Sequence, residues 1–169
     1  LSIAGAMIMS LVLLDSWIIA IAATLGVVIT TVASVSTRYY AGMEGKPVKN
    51  IAKASNRGAA LNLITGIAYG LQSPVLPVVV LMGVVIGIYT LSGNSLLALV
   101  GVNIGTDLLI TFIMAADAFG PIVDNAAGIA GMASAERHVV DKLSRLDSVG
   151  NTMKAITKAY AMISGTVTA

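Results

Sequence analysis

Trp17–Thr37 reads W-I-I-A-I-A-A-T-L-G-V-V-I-T-T-V-A-S-V-S-T, with no charged residue along its length. At about 1.5 Å of rise per residue, such a run makes roughly 30 Å of helix, the thickness of a bilayer's hydrocarbon core. Trp17 at one end and Tyr39-Tyr40 beyond the other match the aromatic belts found where membrane helices meet water. The rest of the chain has the same character. Of its 169 residues 57% are hydrophobic and 11% charged, with a mean hydropathy of +0.92. Soluble domains carry about a quarter charged residues. The fold class is therefore all-α, a polytopic transmembrane helix bundle.

Leu1–Leu14 is apolar but shorter than the ~20 residues needed to cross a bilayer, and it has no basic leader. We read it as part of a helix in a longer chain. Asp15 is placed as the N-cap of the next helix, over 16–38. Residues 38–57 hold Arg38, Lys46, Lys49, Lys53 and Arg57, with Gly42, Gly45 and Pro47 as breakers. This is a solvated connector with room for a short helix over Val48–Ser55. Residues 58–91 form one apolar run, about 51 Å long if helical, bent near Pro74 and Pro77. Ser92-Gly93-Asn94 is a tight turn. A helix over 95–133 follows, then a charged connector over 134–147, then a last helix over 149–169. The whole is read as a single membrane domain, part of a larger bundle.

With these spans, all ten Lys and Arg residues fall on one side. The opposite side shows only Asp15 and the neutral turn at 92–94. The positive-inside rule makes the loaded side cytoplasmic. Gly66–Gly70, Gly83–Gly87 and Gly101–Gly105 are G-x-x-x-G pairs, expected to pack helices closely. No strand–turn–helix context surrounds them, so none is a nucleotide fingerprint. The chain lacks cysteine, which excludes disulfides, thiolate metal sites and cysteine nucleophiles.

Polar groups gather at Asp117–Lys158. Asp117 and Asp124 are seven residues apart, on one face of a helix with about 10.5 Å of rise between them. Asn151 and Lys158 repeat that spacing on the next helix, with Lys154 close to the same face. Carboxylates suit Mg²⁺ and lysines suit phosphate oxygens, so a magnesium–phosphate ligand fits the set. Lysines snorkelling to headgroups and paired with interfacial aspartates would also produce it. The chemistry alone leaves both readings open.

Asp117–Met132, D-A-F-G-P-I-V-D-N-A-A-G-I-A-G-M, and Leu146–Lys158, L-D-S-V-G-N-T-M-K-A-I-T-K, closely resemble the membrane-bound, ion-translocating inorganic pyrophosphatases. Their pattern runs D-A-Y-G-P-I-x-D-N-A-G-G-I-A-E-M, then L-D-x-x-G-N-T-T-x-A-x-x-K-G. Lys46–Ser55 and Ala60–Ser73 are similar to the family's preceding segment, so the resemblance covers nearly the whole chain. It implies Mg²⁺-dependent hydrolysis of pyrophosphate coupled to movement of protons or sodium ions out of the cytosol. Asp124 matches a residue that binds Mg²⁺–pyrophosphate, and Asn151 and Lys158 match residues that contact the diphosphate. Asp117 is a secondary metal candidate. Lys154 matches the position where lysine accompanies potassium independence, a tethered ammonium replacing a bound monovalent cation; Thr157 fits the same pattern. The resemblance therefore implies a proton-type member that does not require potassium.

Four departures stand out: Ala127 for Gly, Gly131 for Glu, Met153 for Thr and Ala159 for Gly. The acidic motifs that supply most metal ligands and activate water in the family have no counterpart in these residues. No catalytic residue is assigned here, and these residues alone are expected to be inactive. The alternative is a non-catalytic or split paralogue acting as scaffold or transporter subunit. Expected partners are pyrophosphate, the lipid bilayer and, for a full-length protein, a second copy in a homodimer. No nucleic-acid partner is expected. The membrane would be that of the cell or of an acidic organelle. Asp107, near mid-membrane, is either a functional intramembrane carboxyl or a packing residue bonded one turn away to Thr111. Asn103 and Asn62 are expected to bond between helices; Tyr69 and Tyr89 are given no role, and His138 is not expected to bind metal.

Overall fold

The structure, a computed structural model, describes residues 2–169. Among these, every regular element is a helix: α1 Ser2–Leu14, α2 Trp17–Ala41, α3 Lys46–Ser55, α4 Ala59–Gln72, α5 Val75–Leu91, α6 Leu96–Asp107, α7 Ile110–Met132 and α8 Arg137–Thr168. Leu1, included in the first expected helix, lies outside the described residues. By length and composition, the helical stretches Trp17–Ser55 and Ala59–Leu91 can each cross a membrane. The pair α6 and α7, bent by 42° at its break, makes a third.

Each boundary has a local cause. Asp15 is not the cap of α2. It turns the chain with φ +44°, a left-handed conformation that Asp tolerates better than most residues, and Ser16 accepts the cap bond from the Ile19 N–H at 3.4 Å. Pro47 sits in the first turn of α3, where its missing N–H costs no helical bond. The expected bend in 58–91 falls at Ser73-Pro74, and the Ser36 hydroxyl of α2 donates to the Ser73 carbonyl there at 3.4 Å. Gly93 and Asn94 take φ +69° and +66°, and the Asn94 N–H reaches back to the Tyr89 carbonyl at 2.8 Å. Ser134, φ +50°, ends α7 in the same way, with the Ala135 N–H on the Ala130 carbonyl at 3.0 Å.

Two expected helix boundaries also change. The segment 95–133 is not one helix but breaks at Leu108–Leu109. The charged stretch 134–147 is not a connector: from Arg137 onward it is the start of α8, with Val139, Val140 and Leu143 half-buried along it. Charge does not oppose a helix when it faces water.

α2 is the centre of the bundle, packed against α1, α5, α6 and α8. Ala22, Ile29 and Ala33 of α2 meet Leu81 and Ile88 of α5, Ala98 and Val102 of α6, and Ile163 of α8 in one core. Small residues set its closest approach. A Cβ at Gly101 would lie 3.0 Å from Ala22 Cβ, and one at Gly26 would lie 2.8 Å from Gly105 Cα. Gly101–Gly105 is thus a packing pair, as expected. Gly66, Gly70, Gly83 and Gly87 meet nothing within 4 Å among the described residues, and α4 has no buried residue. α3 is tied to α4 by Asn50, whose amide donates to the Tyr69 hydroxyl at 2.7 Å, a role the sequence reading did not give Tyr69.

Candidate functional site

α7 and α8 run antiparallel, and their contact is built on two glycines. A Cβ on Gly150 would lie 3.0 Å from Gly120 Cα and 2.9 Å from Val123 Cγ2. Gly120 also leaves a channel for Lys154: a Cβ there would lie 2.7 Å from Lys154 Cε and 3.1 Å from its Cγ. The lysine stem lies half-buried over this glycine, and its ammonium reaches one turn along the same face of α7.

There Lys154 Nζ lies 3.6 Å from Asp124 Oδ2 and 3.5 Å from Asn151 Oδ1. The Asn151 amide in turn donates to Asp147 Oδ2 at 3.2 Å. The result is a chain of alternating polarity, Asp124–Lys154–Asn151–Asp147, spanning both helices. Asp147 was not singled out from sequence, although its spacing to Asn151 and Lys154 is the i, i+4, i+7 of one helix face. Its second oxygen is buried and has no hydrogen-bond partner among the described residues.

The Asp124 side chain is 65% exposed and that of Lys154 30% exposed. Ion pairs in such settings contribute about 0–1 kcal/mol, so this one holds the fold together only weakly. Its groups stay available to a charged ligand. Lys158, one turn beyond Lys154, is exposed and within 4.0 Å of no described carboxylate oxygen. Asp117 is half-buried and has no side-chain hydrogen bond or ion pair with the described residues. Of the residues predicted from sequence, Asp124, Asn151 and Lys154 come together; Asp117 and Lys158 do not join them by direct contact.

Among the described residues no three His, Asp or Glu side chains are grouped to hold a metal ion. Mg²⁺ prefers six oxygens in near-octahedral order and is commonly held by one or two carboxylates plus phosphates. Asp124 fits one such position, and the lysines fit the phosphates. Glu136, beside His138 at 3.1 Å, lies in the turn before α8 and adds nothing to the set.

The basic segments meet at the same end of the bundle. Arg38, Met43 and Glu44 from the end of α2 and the loop after it, and Arg145, Ser148 and Thr152 of α8, line one open groove of about 900 Å³. The Ser148 hydroxyl contacts Met43 Sδ across it.

Asp107 stands apart, at the C-terminal end of α6. Its partner is not Thr111: Tyr160 Oη and Ser164 Oγ both donate to Asp107 Oδ1, each at 3.0 Å. One turn earlier, Asn103 Oδ1 accepts from Thr168 at 3.1 Å, the expected interhelical bond. Asn62 makes no such bond among the described residues; its Oδ1 is buried without a partner.

The family model described as inorganic H⁺ pyrophosphatase matches residues 1–169. Among curated proteins, the chain is 41% identical over 143 residues to the K⁺-insensitive pyrophosphate-energized proton pump of Methanosarcina mazei, covering 81% of this chain and 21% of the relative. It is 39% identical over 147 residues to the K⁺-insensitive pyrophosphate-energized proton pump 2 of Moorella thermoacetica, covering 83% and 22%. To the K⁺-insensitive pyrophosphate-energized proton pump of Streptomyces coelicolor it is 40% identical over 154 residues, covering 88% and 19%. The chain therefore spans about a fifth of the length of the curated relatives it matches.

Proposed function

Because the chain belongs to the inorganic H⁺ pyrophosphatase family, we propose that α7 and α8 form one wall of a site that hydrolyses magnesium pyrophosphate and drives protons across the membrane. The observation that carries this reading is the meeting of Lys154 with Asp124 and Asn151, 3.6 and 3.5 Å apart. Asp124 and Asn151 match positions where the family's motifs carry ligand-binding residues, and Lys154 matches the position that divides the family by potassium requirement.

The weak ion pair explains how the wall works. Without ligand, the Asp124 carboxylate and the Lys154 ammonium neutralise each other. A metal–diphosphate ligand offers each a better partner: a divalent cation for Asp124 and phosphate oxygens for Lys154. Lys158, exposed one turn along, adds a second ammonium, and the Asn151 amide a neutral donor. Asp117 is a further metal candidate. Mg²⁺ would supply charge neutralisation on the diphosphate, and the lysines keep negative charge stabilised as the bridging P–O bond breaks. No residue of α7 or α8 is assigned to water activation, which is expected of other helices of the full-length protein.

Lys154 also carries the potassium-independent reading. A fixed ammonium beside the diphosphate does the electrostatic work of a bound monovalent cation. The relatives' printed names are K⁺-insensitive, which supports the same reading here. The clustering of basic residues at one end supports a cytoplasmic site, in a homodimer of the full-length protein.

The test is pyrophosphate hydrolysis by the full-length protein in native membranes. Asp124→Ala should lower turnover by about 100-fold or more, and Asn151→Ala by a smaller factor. Near-normal turnover in Asp124→Ala would remove this wall from the site.

A further inference from the structure

A carboxyl inside an apolar span needs a counter-charge, a metal or a proton. Asp107 has no basic partner within 4.0 Å among the described residues. The elements packed against α6 offer none: α2 carries its only charge at Arg38, at its far end, and α5 has none and only Tyr89 as a titratable group. On α7, Asp117 is ten residues on. On α8 the facing titratable group is Tyr160, itself buried at 4% exposure. Lys158 is two residues from it, about 200° away around the helix at 100° per residue.

The hydrogen bonds are asymmetric. Both hydroxyl donors, from Tyr160 and Ser164, go to Oδ1 at 3.0 Å, and Oδ2 has no donor among the described residues. One free oxygen, with no second carboxylate beside it among the described residues, does not fill the five or six positions of a metal cation. A single proton needs only one. Asp107 is also the last residue of α6, at the break where α7 turns away by 42°.

We propose that Asp107, held by Tyr160 and Ser164, is a proton-binding site within the membrane span. The carboxylate takes one proton onto Oδ2, its charge going from −1 to 0, and returns it as H⁺ without breaking either hydroxyl bond to Oδ1. Tyr160, Ser164 and Thr168 recur every four residues on a face of α8 different from that of Asn151, Lys154 and Lys158. The site is thus separate from the diphosphate wall. Its role in pumping rests on the function proposed above; proton binding itself does not.

Two readouts on the full-length protein in membranes separate these. Infrared difference spectra across a pH step should show a protonated-carboxyl band that Asp107→Asn removes and that Tyr160→Phe and Ser164→Ala each shift without removing. In proteoliposomes, Asp107→Asn should lower protons moved per pyrophosphate hydrolysed by about tenfold or more, with hydrolysis largely kept, and Asp107→Glu should restore much of the transfer. An unchanged infrared band in Asp107→Asn overturns the proposal, and an unchanged proton yield overturns a role for Asp107 in pumping. Parallel loss of hydrolysis and transfer, with the hydroxyl variants silent in the infrared, assigns Asp107 to packing and also overturns it. A wild-type protein that hydrolyses no pyrophosphate counts against the proposed function alone, and the infrared arm then decides this site.

Discussion

Lys154 shows how a single side chain gains a role from a neighbour that is not there. Its ammonium reaches Asp124 only because Gly120 leaves the space its stem crosses. Two substitutions follow from that geometry. Lys154→Ala removes the fixed cation, so pyrophosphate hydrolysis by the full-length protein should become dependent on added potassium. Gly120→Ala keeps the lysine but places a methyl 2.7 Å from its Cε. The lysine is the softer partner and must move. The Gly150 carbonyl, at 3.2 Å from that methyl, has to yield only slightly. Gly120→Ala should therefore show a partial potassium stimulation while the helices stay packed. Hydrolysis assayed with and without potassium checks both, and equal activity of Lys154→Ala in potassium-free buffer would remove the surrogate role. The spacing of Asn151, Lys154 and Lys158 is readable from sequence. The passage over Gly120 is not, because it depends on the register between two helices joined through a turn. The same limit hid the partners of Asp107: they are 53 and 57 residues away on α8, while sequence offered only the local Thr111.

Among the elements, proline and glycine signals were legible where they act on their own backbone. Pro74 marks the break between α4 and α5, and Gly93-Asn94 marks the turn before α6. The break at Leu108–Leu109 has no such signal; two leucines in an apolar run give no local reason to stop a helix. Charge misled in the other direction at 137–147, where polar composition suggested a loop and a water-facing helix formed. The G-x-x-x-G pairs show why a motif does not identify its own interface. Gly101 and Gly105 meet α2, whereas the pairs in α4 and α5 meet nothing among the described residues. A Cβ on Gly105 would collide with the Ala23 carbonyl oxygen and lie 2.7 and 2.8 Å from the Ala23 carbonyl carbon and Cα, and backbone cannot swing aside as a side chain does. Gly105→Ala should destabilise the α2–α6 contact by about 1–3 kcal/mol, the usual cost of forcing a methyl into a packed interface. Thermal unfolding in detergent measures this. A midpoint equal to wild type would mean that the two helices separate at no cost.

For the whole molecule, the distribution of charge decides how the bundle sits in a membrane. Every Lys and Arg lies between residues 38 and 57 or between 137 and 158. The shared groove of Arg38 and Arg145 brings these two segments to one end. The turn at Ser92–Asn94 lies beyond a 33-residue helical stretch, Ala59–Leu91, about 50 Å long. That is more than a bilayer core, so the turn and the basic segments cannot share a face if the stretch spans. Only 17% of its apolar window is buried inside the chain, which leaves a broad face for lipid tails or other helices. Absence of cysteine makes the arrangement directly measurable. With any cysteines elsewhere in the full-length protein replaced, Lys49→Cys, Lys142→Cys and Asn94→Cys can be labelled one at a time in intact cells with a membrane-impermeant maleimide. Asn94→Cys should react from outside, whereas Lys49→Cys and Lys142→Cys should react only after permeabilisation. Labelling of Lys49→Cys and Lys142→Cys from opposite sides would break the topology, because α4–α5 and α6–α7 would then no longer form two complete crossings. Labelling of both from outside would instead preserve the crossings and invert the protein, moving the Asp124–Lys154 wall away from the cytoplasm and removing the basis for a cytosolic diphosphate.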